Sequence, residues 1–373
     1  MLSSVVFRIW LLFGIAIPLT SFLPLIKAQA LSQTASSSSI PGLSSQRLEV
    51  ADGILGNTQV FAAQPNTRLL QEELNQLDVS AAQGDVGIGV LNLDTGERWF
   101  RNGKQQFPMQ SVFKLPVGIV VLKLIDEGKL SLNQVVTVSR QDFAPGWNPI
   151  LKEIKGERGQ FTVQYLLQRS VGDSDNTAAD ALVRLVGGPQ KVTAILSKMN
   201  IHDIRVDRLE QQLQPDCVGL TNFRPELADE QKYEAAVKQI PDGVKEAAVK
   251  KYLTDSRDTA TPEGTVDLLA KLQSRQLLSK GSTAFLLKIM TDSPTGKQRL
   301  KAGLSKGWSI AHKTGTGPDV VGIGTATNDV GIISSPQGRH IAIAVFIAGS
   351  KASIEQRESV MSAVASAIVK AIP

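Results

Sequence analysis

The sequence predicts an α/β fold of the α+β kind: an antiparallel sheet of about five strands, assembled from both chain ends, flanked by helices and interrupted by an inserted all-helical lobe. Three observations carry this expectation. The stretch "DVGIGVLNLDTGERWFRNG" (85–103) holds two alternating apolar and polar runs joined by "DTGE", the pattern of a hairpin. Near the C-terminus, "WSIAHKTGTG", "VGIISSPQ" and "HIAIAVFIAG" alternate like strands of an antiparallel sheet. Between these two sets lies a long stretch rich in helical spacing, broken by short loops.

Taken in order, the elements begin with an address. Residues 1–30, "MLSSVVFRIWLLFGIAIPLTSFLPLIKAQA", carry Arg8, an apolar core and a closing "AQA". This reads as a signal peptide cleaved after Ala30. Pro18 and Pro24 interrupt it and its apolar run is short for a span, an uncleaved anchor being the alternative. An exported protein follows, periplasmic or extracellular, with no stable membrane association after cleavage. Residues 31–65 are rich in Ser, Gln, Ala and Pro and read as a flexible linker. The folded domain is expected over 66–373, with one lobe from 66–110 and 296–373 and a helical lobe from 111–295. "TRLLQEELNQLD" has helical spacing, "FPMQSVFKLPVGIVVLKLIDEGKL" (107–130) is a nearly unbroken apolar helix with Gly128 as its stop, and "SIEQRESVMSAVASAIVKAI" closes the chain as an amphipathic helix.

Composition narrows the function classes. The chain is 42% hydrophobic and 20% charged, which calls for a packed core. Its net charge of +5 is spread among interleaved acids, with no basic cluster beside aromatic residues, so no nucleic-acid partner is expected. Cys217 is the one cysteine, so no disulfide forms within the chain. His202, His312 and His340 lack zinc-ligand spacing, and neither metal nor cofactor is expected. "GLSKG" (303–307) fits Gly-x-Ser-x-Gly, but a strand follows it where a nucleophile elbow needs a helix.

The chemistry-bearing residues are Ser111 and Lys114, three apart at a helix start. A serine hydroxyl is a poor nucleophile until a base takes its proton and donors hold the oxyanion. A helix N-terminus offers free N–H groups and a positive dipole end. Lys114 lies one turn on, on the same face, with an apolar surround that disfavours its charged form. Two further strings follow once each: Ser174-Asp175-Asn176 in a loop before a helix, and Lys313-Thr314-Gly315 on an expected strand. A second hydroxyl can shuttle a proton, an Asn amide can hold a substrate amide, and a Lys attracts a carboxylate. Gly315 and Gly317 are expected to let substrate lie against the strand edge.

With these three motifs in order, the chain from about residue 66 resembles the penicillin-recognising serine hydrolases, and within them the class A β-lactamases. "SDNTAADALVRLVGGPQKVTAIL", "RVDRLEQQL" and "RDTATPEGTVDLL" extend the likeness, and "TATNDVGIISSPQGR" is similar to the branch that includes the PER-type enzymes. The resemblance implies the β-lactamase/DD-peptidase-like fold and a monomer acting on a small-molecule β-lactam. It makes Ser111 the acylated nucleophile, Lys114 its proton partner, and Ser174 the donor to the lactam nitrogen. Asn176 would bind the substrate's side-chain amide, and Lys313, Thr314, Gly315 and Thr316 its carboxylate and oxyanion. Glu210 would orient the hydrolytic water, and Asp258 would pair with Arg208 to close the omega loop.

Departures from the family pattern are visible too. Gln214 stands where the family commonly has Asn, and being longer it is expected to displace the water. Residues 215–256 form a long insert, read as a loop and two short amphipathic helices split at Pro241-Asp242-Gly243, placed against or over the site floor. No arginine stands on the strand after Lys-Thr-Gly; Arg299 is the candidate carboxylate anchor, or else a solvated helix arginine. Trp147 is either an aromatic gatekeeper or core. A β-lactamase is the favoured reading. A peptidoglycan D,D-carboxypeptidase and a non-hydrolysing β-lactam-binding domain are the alternatives. Glu210 speaks against the first because it supplies a base for deacylation, and the lack of a transmembrane helix beyond the N-terminal segment speaks against a signalling receptor.

Overall fold

The computed structural model describes residues 67–221 and 223–372; the expected signal peptide and linker lie outside them. After α1 (Thr67–Asn75), the alternating stretch folds into β1 (Asp85–Asn92) and β2 (Arg98–Arg101). Gly96 turns the hairpin at φ +78°, a conformation that glycine adopts without strain. A short β3 (Phe107–Pro108) leads into a 3₁₀ turn, Gln110–Phe113, and then into α2 (Lys114–Asp126). Residues Lys114–Leu122 are all buried, as befits a helix that is apolar on every side.

The inserted lobe continues with β4 (Val135–Ser139), β5 (Arg158–Thr162), α3 (Val163–Leu167), α4 (Asn176–Val186), α5 (Pro189–Lys198) and α6 (Glu210–Val218). It ends with α7 (Glu230–Lys238), α8 (Asp242–Thr254), β6 (Thr259–Ala260), α9 (Pro262–Gln273) and α10 (Lys280–Thr291). The lobe is therefore not all-helical: β4 and β5 pair antiparallel from Val135↔Thr162 to Ser139↔Arg158. The β-branched run "VVTV" is the local cause.

The chain returns through β7 (Ser309–Thr316), β8 (Asp319–Val320), β9 (Ile323–Ser334), β10 (His340–Ser350) and α11 (Ile354–Ala371). The strand order is β2-β1-β10-β9-β7, with β8 on β9, so the expected sheet from both chain ends is present. Alternation on β10 sorts two cores. Ile341, Ile343, Val345 and Ile347 face α1 and α11 with Val86, Ile88 and Val90 of β1. Ala342, Ala344, Phe346 and Ala348 face the inserted lobe with α2 and α9. Gly87 and Gly89 leave β1 bare where the Phe107 ring and the backbone of Pro262 approach; a Cβ on Gly87 would stand 2.3 Å from that ring.

The insert departs from its sequence reading at its start. Residues 215–218 continue α6 rather than forming a loop, and Gly219 stops that helix at φ +76°. Leu213, Cys217 and Val218 of α6 bury against Val249 and Tyr252 of α8 and Val320 of β8. This small apolar cluster explains why the segment is helical despite Pro215. The expected break between two helices falls at Pro241.

Candidate active site

Ser111 lies in the 3₁₀ turn ahead of α2, half-buried, directly after Gln110, which is fully buried at φ +47°. A left-handed glutamine is a strained choice that the surroundings must hold. Gly315 makes room for this turn. A Cβ there would stand 2.4 Å from Met109 O and 3.2 Å from Val112, so the bare face meets the nucleophile's own turn. The bare face of Gly315 thus serves the protein's own packing. The same holds for Gly317, whose missing Cβ would meet Thr325 Oγ1. Both glycines seat β7 and its end against the protein.

Lys114 is fully buried beneath Ser111. Its Nζ donates to Ser111 Oγ at 2.9 Å, Ser174 O at 2.8 Å and Asn176 Oδ1 at 2.5 Å. Glu210 Oε1 stands 3.0 Å away as an ion-pair partner, yet it receives no aligned hydrogen bond. An ammonium has three protons, and the three other acceptors take them.

Glu210 opens α6 and is wholly buried, not a surface carboxylate on a loop. Its Oε2 accepts a hydrogen bond from Gln214 Nε2 at 2.8 Å. Gln214 Nε2 also donates to Gln110 Oε1 at 3.0 Å, so the longer side chain is tethered to the carboxylate itself. Asp180, which sequence reading missed, holds the helix start: Glu210 N donates to its Oδ1 at 2.7 Å and Gln211 N to its Oδ2 at 3.1 Å. Burial, and then the charge of Glu210, push the Asp180 carboxyl up to about 7. The signal was present, since Asp180 follows Asn176 by four residues and shares its helix face.

Ser174 joins the two lysines from a left-handed position, φ +65°. Its carbonyl accepts from Lys114, and its Oγ accepts from Lys313 Nζ at 2.9 Å. Lys313 is fully buried, and burial, with the nearby charge of Lys114, holds its ammonium well below the ordinary lysine range. Asp175 fixes this loop by accepting from Ile150 N at 2.7 Å and Ala178 N at 2.8 Å; burial raises its carboxyl to about 6. The Asn176 amide is committed at both ends, since Nδ2 donates to Pro145 O at 2.7 Å.

Arg299 is buried just before a 3₁₀ turn, so it is not a solvated helix arginine. Nη1 donates to Gly315 O at 3.1 Å and Asn328 O at 2.9 Å, Nη2 to Thr316 Oγ1 at 2.8 Å, and Nε pairs with Glu358 at 3.0 Å. Thr316 is exposed, whereas the Thr314 hydroxyl donates to Thr295 Oγ1 at 2.8 Å. Trp147 is 58% exposed and so is not core; its Nε1 donates to Asp173 O at 2.9 Å. A cleft of about 350 Å³ gathers Ser111, Ser174, Asn176, Gln214, Thr314 and Thr316, with Trp147 and Arg299 also in its lining. Lys114, Glu210 and Lys313 are buried around it.

Asp258 closes the surrounding loop. Its Oδ2 lies 2.6 Å from Arg208 Nε, its Oδ1 accepts from Asp207 N at 2.7 Å, and its carbonyl accepts from Met109 N at 3.0 Å. One residue thus ties the Glu210 segment to the Ser111 turn. Removing one partner from such a buried pair costs about 3–5 kcal/mol.

Comparison with known proteins agrees with this geometry. The profile of the β-lactamase enzyme family matches residues 69–372. The chain is 34% identical to the extended-spectrum β-lactamase PER-1 of Pseudomonas aeruginosa over 306 residues, covering 82% of this chain and 88% of that protein. It is 33% identical to β-lactamase VEB-1 of the same organism, covering 77% and 85% respectively. Among solved structures, a β-lactamase from Chitinophaga pinensis is 31% identical with a TM-score of 0.67, covering 82% of this chain and 99% of that one. The chain belongs to the β-lactamase enzyme family, as a serine β-lactamase of class A on the PER-like branch.

Proposed function

We propose that the cleft opens the β-lactam ring of penicillins and cephalosporins by acylating Ser111 and then releases the product with water aligned by Glu210. The observation that carries this reading is the buried Glu210 carboxylate, 3.0 Å from Lys114 Nζ and hydrogen-bonded to Gln214. Lys114, as found, donates to Ser111, so it must shed a proton before it can take the serine's. Glu210 Oε1 is close enough to receive it.

In acylation, Ser111 Oγ bonds to the lactam carbonyl carbon and its proton passes to Lys114. The N–H groups of Ser111 and Thr316 hold the oxyanion. The carbon–nitrogen bond breaks as Ser174 gives its proton to the nitrogen, and Lys313 resupplies it across 2.9 Å. Lys313, Thr314 and Thr316 attract the substrate carboxylate, with Arg299 adding charge behind Thr316. Before deacylation, Glu210 releases to solvent the proton it took from Lys114, and Lys313 regains one from solvent. Glu210 then takes a proton from water, the water oxygen bonds to the ester carbon, and the bond to Ser111 Oγ breaks as that proton passes to Oγ. Asn176 and Trp147 border the substrate's side chain.

Export to the periplasm or beyond, and action as a monomer, belong to the same proposal. No described helix is long and apolar enough to cross a membrane. The test is direct: purified residues 31–373 are mixed with a chromogenic cephalosporin. Turnover well past one equivalent is expected, and a burst that stops at one equivalent would refute hydrolysis.

A further inference from the structure

The 215–256 insert reaches the catalytic carboxylate by a continuous chain of hydrogen bonds. Gln110 Nε2 donates to Tyr252 Oη of α8 at 2.7 Å and lies 3.4 Å from Cys217 Sγ of α6. Gln110 Oε1 accepts from Gln214 Nε2, and that same nitrogen donates to Glu210 Oε2. Gln110 and Glu210 are fully buried, and Tyr252 is 4% exposed. The carboxylate, once ionised, only accepts, so it fixes the polarity of the chain. Gln214 must turn its amino group inward, Gln110 must turn its oxygen to Gln214, and the remaining Gln110 N–H groups must find acceptors in the insert. Of the two acceptors there, the tyrosine oxygen is strong and the thiol weak. Gln214 therefore has both amide protons committed to protein, and only its oxygen is left to face the cleft.

We propose that Tyr252 is a positioning residue for deacylation: through Gln110 and Gln214, the insert holds Glu210 in its working orientation. The proposal rests on the acyl-enzyme reading above. Acylation should be less sensitive, because Lys114 is held independently by Ser174 O and Asn176 Oδ1. Deleting the tyrosine hydroxyl would leave a buried N–H, on the residue next to Ser111, with only a thiol for partner.

The test compares wild type, Tyr252→Phe and Val249→Ala by rapid mixing with a chromogenic cephalosporin, resolving the acylation burst from steady turnover. Val249 shares the insert's apolar cluster but makes none of these hydrogen bonds. For Tyr252→Phe, the deacylation constant should fall about tenfold, the effect of one buried hydrogen bond, while acylation stays within about twofold. Val249→Ala should melt at lower temperature and keep the wild-type ratio of the two constants. Circular dichroism at the assay temperature reports the folded fraction in every sample. Equal loss in both steps for Tyr252→Phe, no loss in either, or the same altered ratio in Val249→Ala would overturn the proposal. A wild type that stops at one equivalent would instead overturn the acyl-enzyme hydrolysis on which it rests.

Discussion

Lys114 Nζ and Glu210 Oε1 stand 3.0 Å apart in the interior, joined as an ion pair in which the ammonium's protons point elsewhere. A proton can cross this gap with a small rotation of either side chain. The same carboxylate can therefore serve Lys114 in one step and water in the next, and losing it should slow the first step but stop the second.

Glu210→Gln should react with benzylpenicillin and stall. The amide keeps the size of the side chain but cannot take a proton from water. Intact-mass measurement after a short incubation should find the penicillin mass on most of the variant and on little of the wild type. Rapid turnover with no adduct would remove Glu210 from deacylation.

Ser111→Ala should lose hydrolysis while its circular dichroism and melting temperature stay close to wild type. The hydroxyl makes one contact with Lys114, whose other anchors remain. Near-normal turnover by this variant would rule out Ser111 as the nucleophile.

Arg299→Ala should raise KM for penicillins by about tenfold with a smaller change in kcat, because a charge-assisted contact behind Thr316 is lost. It should also melt lower, since Glu358 loses its partner and two carbonyls lose their donor. An unchanged KM would confine carboxylate recognition to Lys313 and the threonines.

Asp180 supplies a pH test. Its ordinary value is 3.8 and its folded value is about 7, so between these limits the folded state holds a proton that the unfolded state has lost. The resulting stabilisation is full below about pH 4 and is lost as pH rises to about 7. Urea unfolding at a series of pH values should show wild type losing stability across this window relative to Asp180→Asn. Parallel curves would mean that the carboxyl titrates normally.

Much of the site was legible because its motifs are local. Ser111 and Lys114 are one helical turn apart, and Ser174 to Asn176 are consecutive. The sheet was legible because β1 and β10 alternate along their length. What escaped reading was set by distant partners. The packing of Gly315 depends on Met109, more than two hundred residues earlier in the chain, so spacing along its own strand did not reveal it. The helix over 215–218 is stabilised by Val249 and Tyr252, which local propensity around Pro215 does not report. The first half of β9, "IGTATND", lacks a strong apolar signal but gains β7 and β10 as neighbours on its two edges. The β4–β5 ribbon was overlooked inside a helical context, although its valines favour a strand.

The central strand pairing also dictates when the molecule can become active. β10 lies between β1 and β9, and it follows β1 by more than two hundred residues. Until then the β1–β2 hairpin has an open edge, and a two-stranded hairpin alone is marginally stable in water. Contacts of such long sequence separation form slowly. The nascent chain therefore cannot close its sheet before β10 has emerged from the ribosome, and a chain cut short ahead of β10 should remain protease-sensitive and inert.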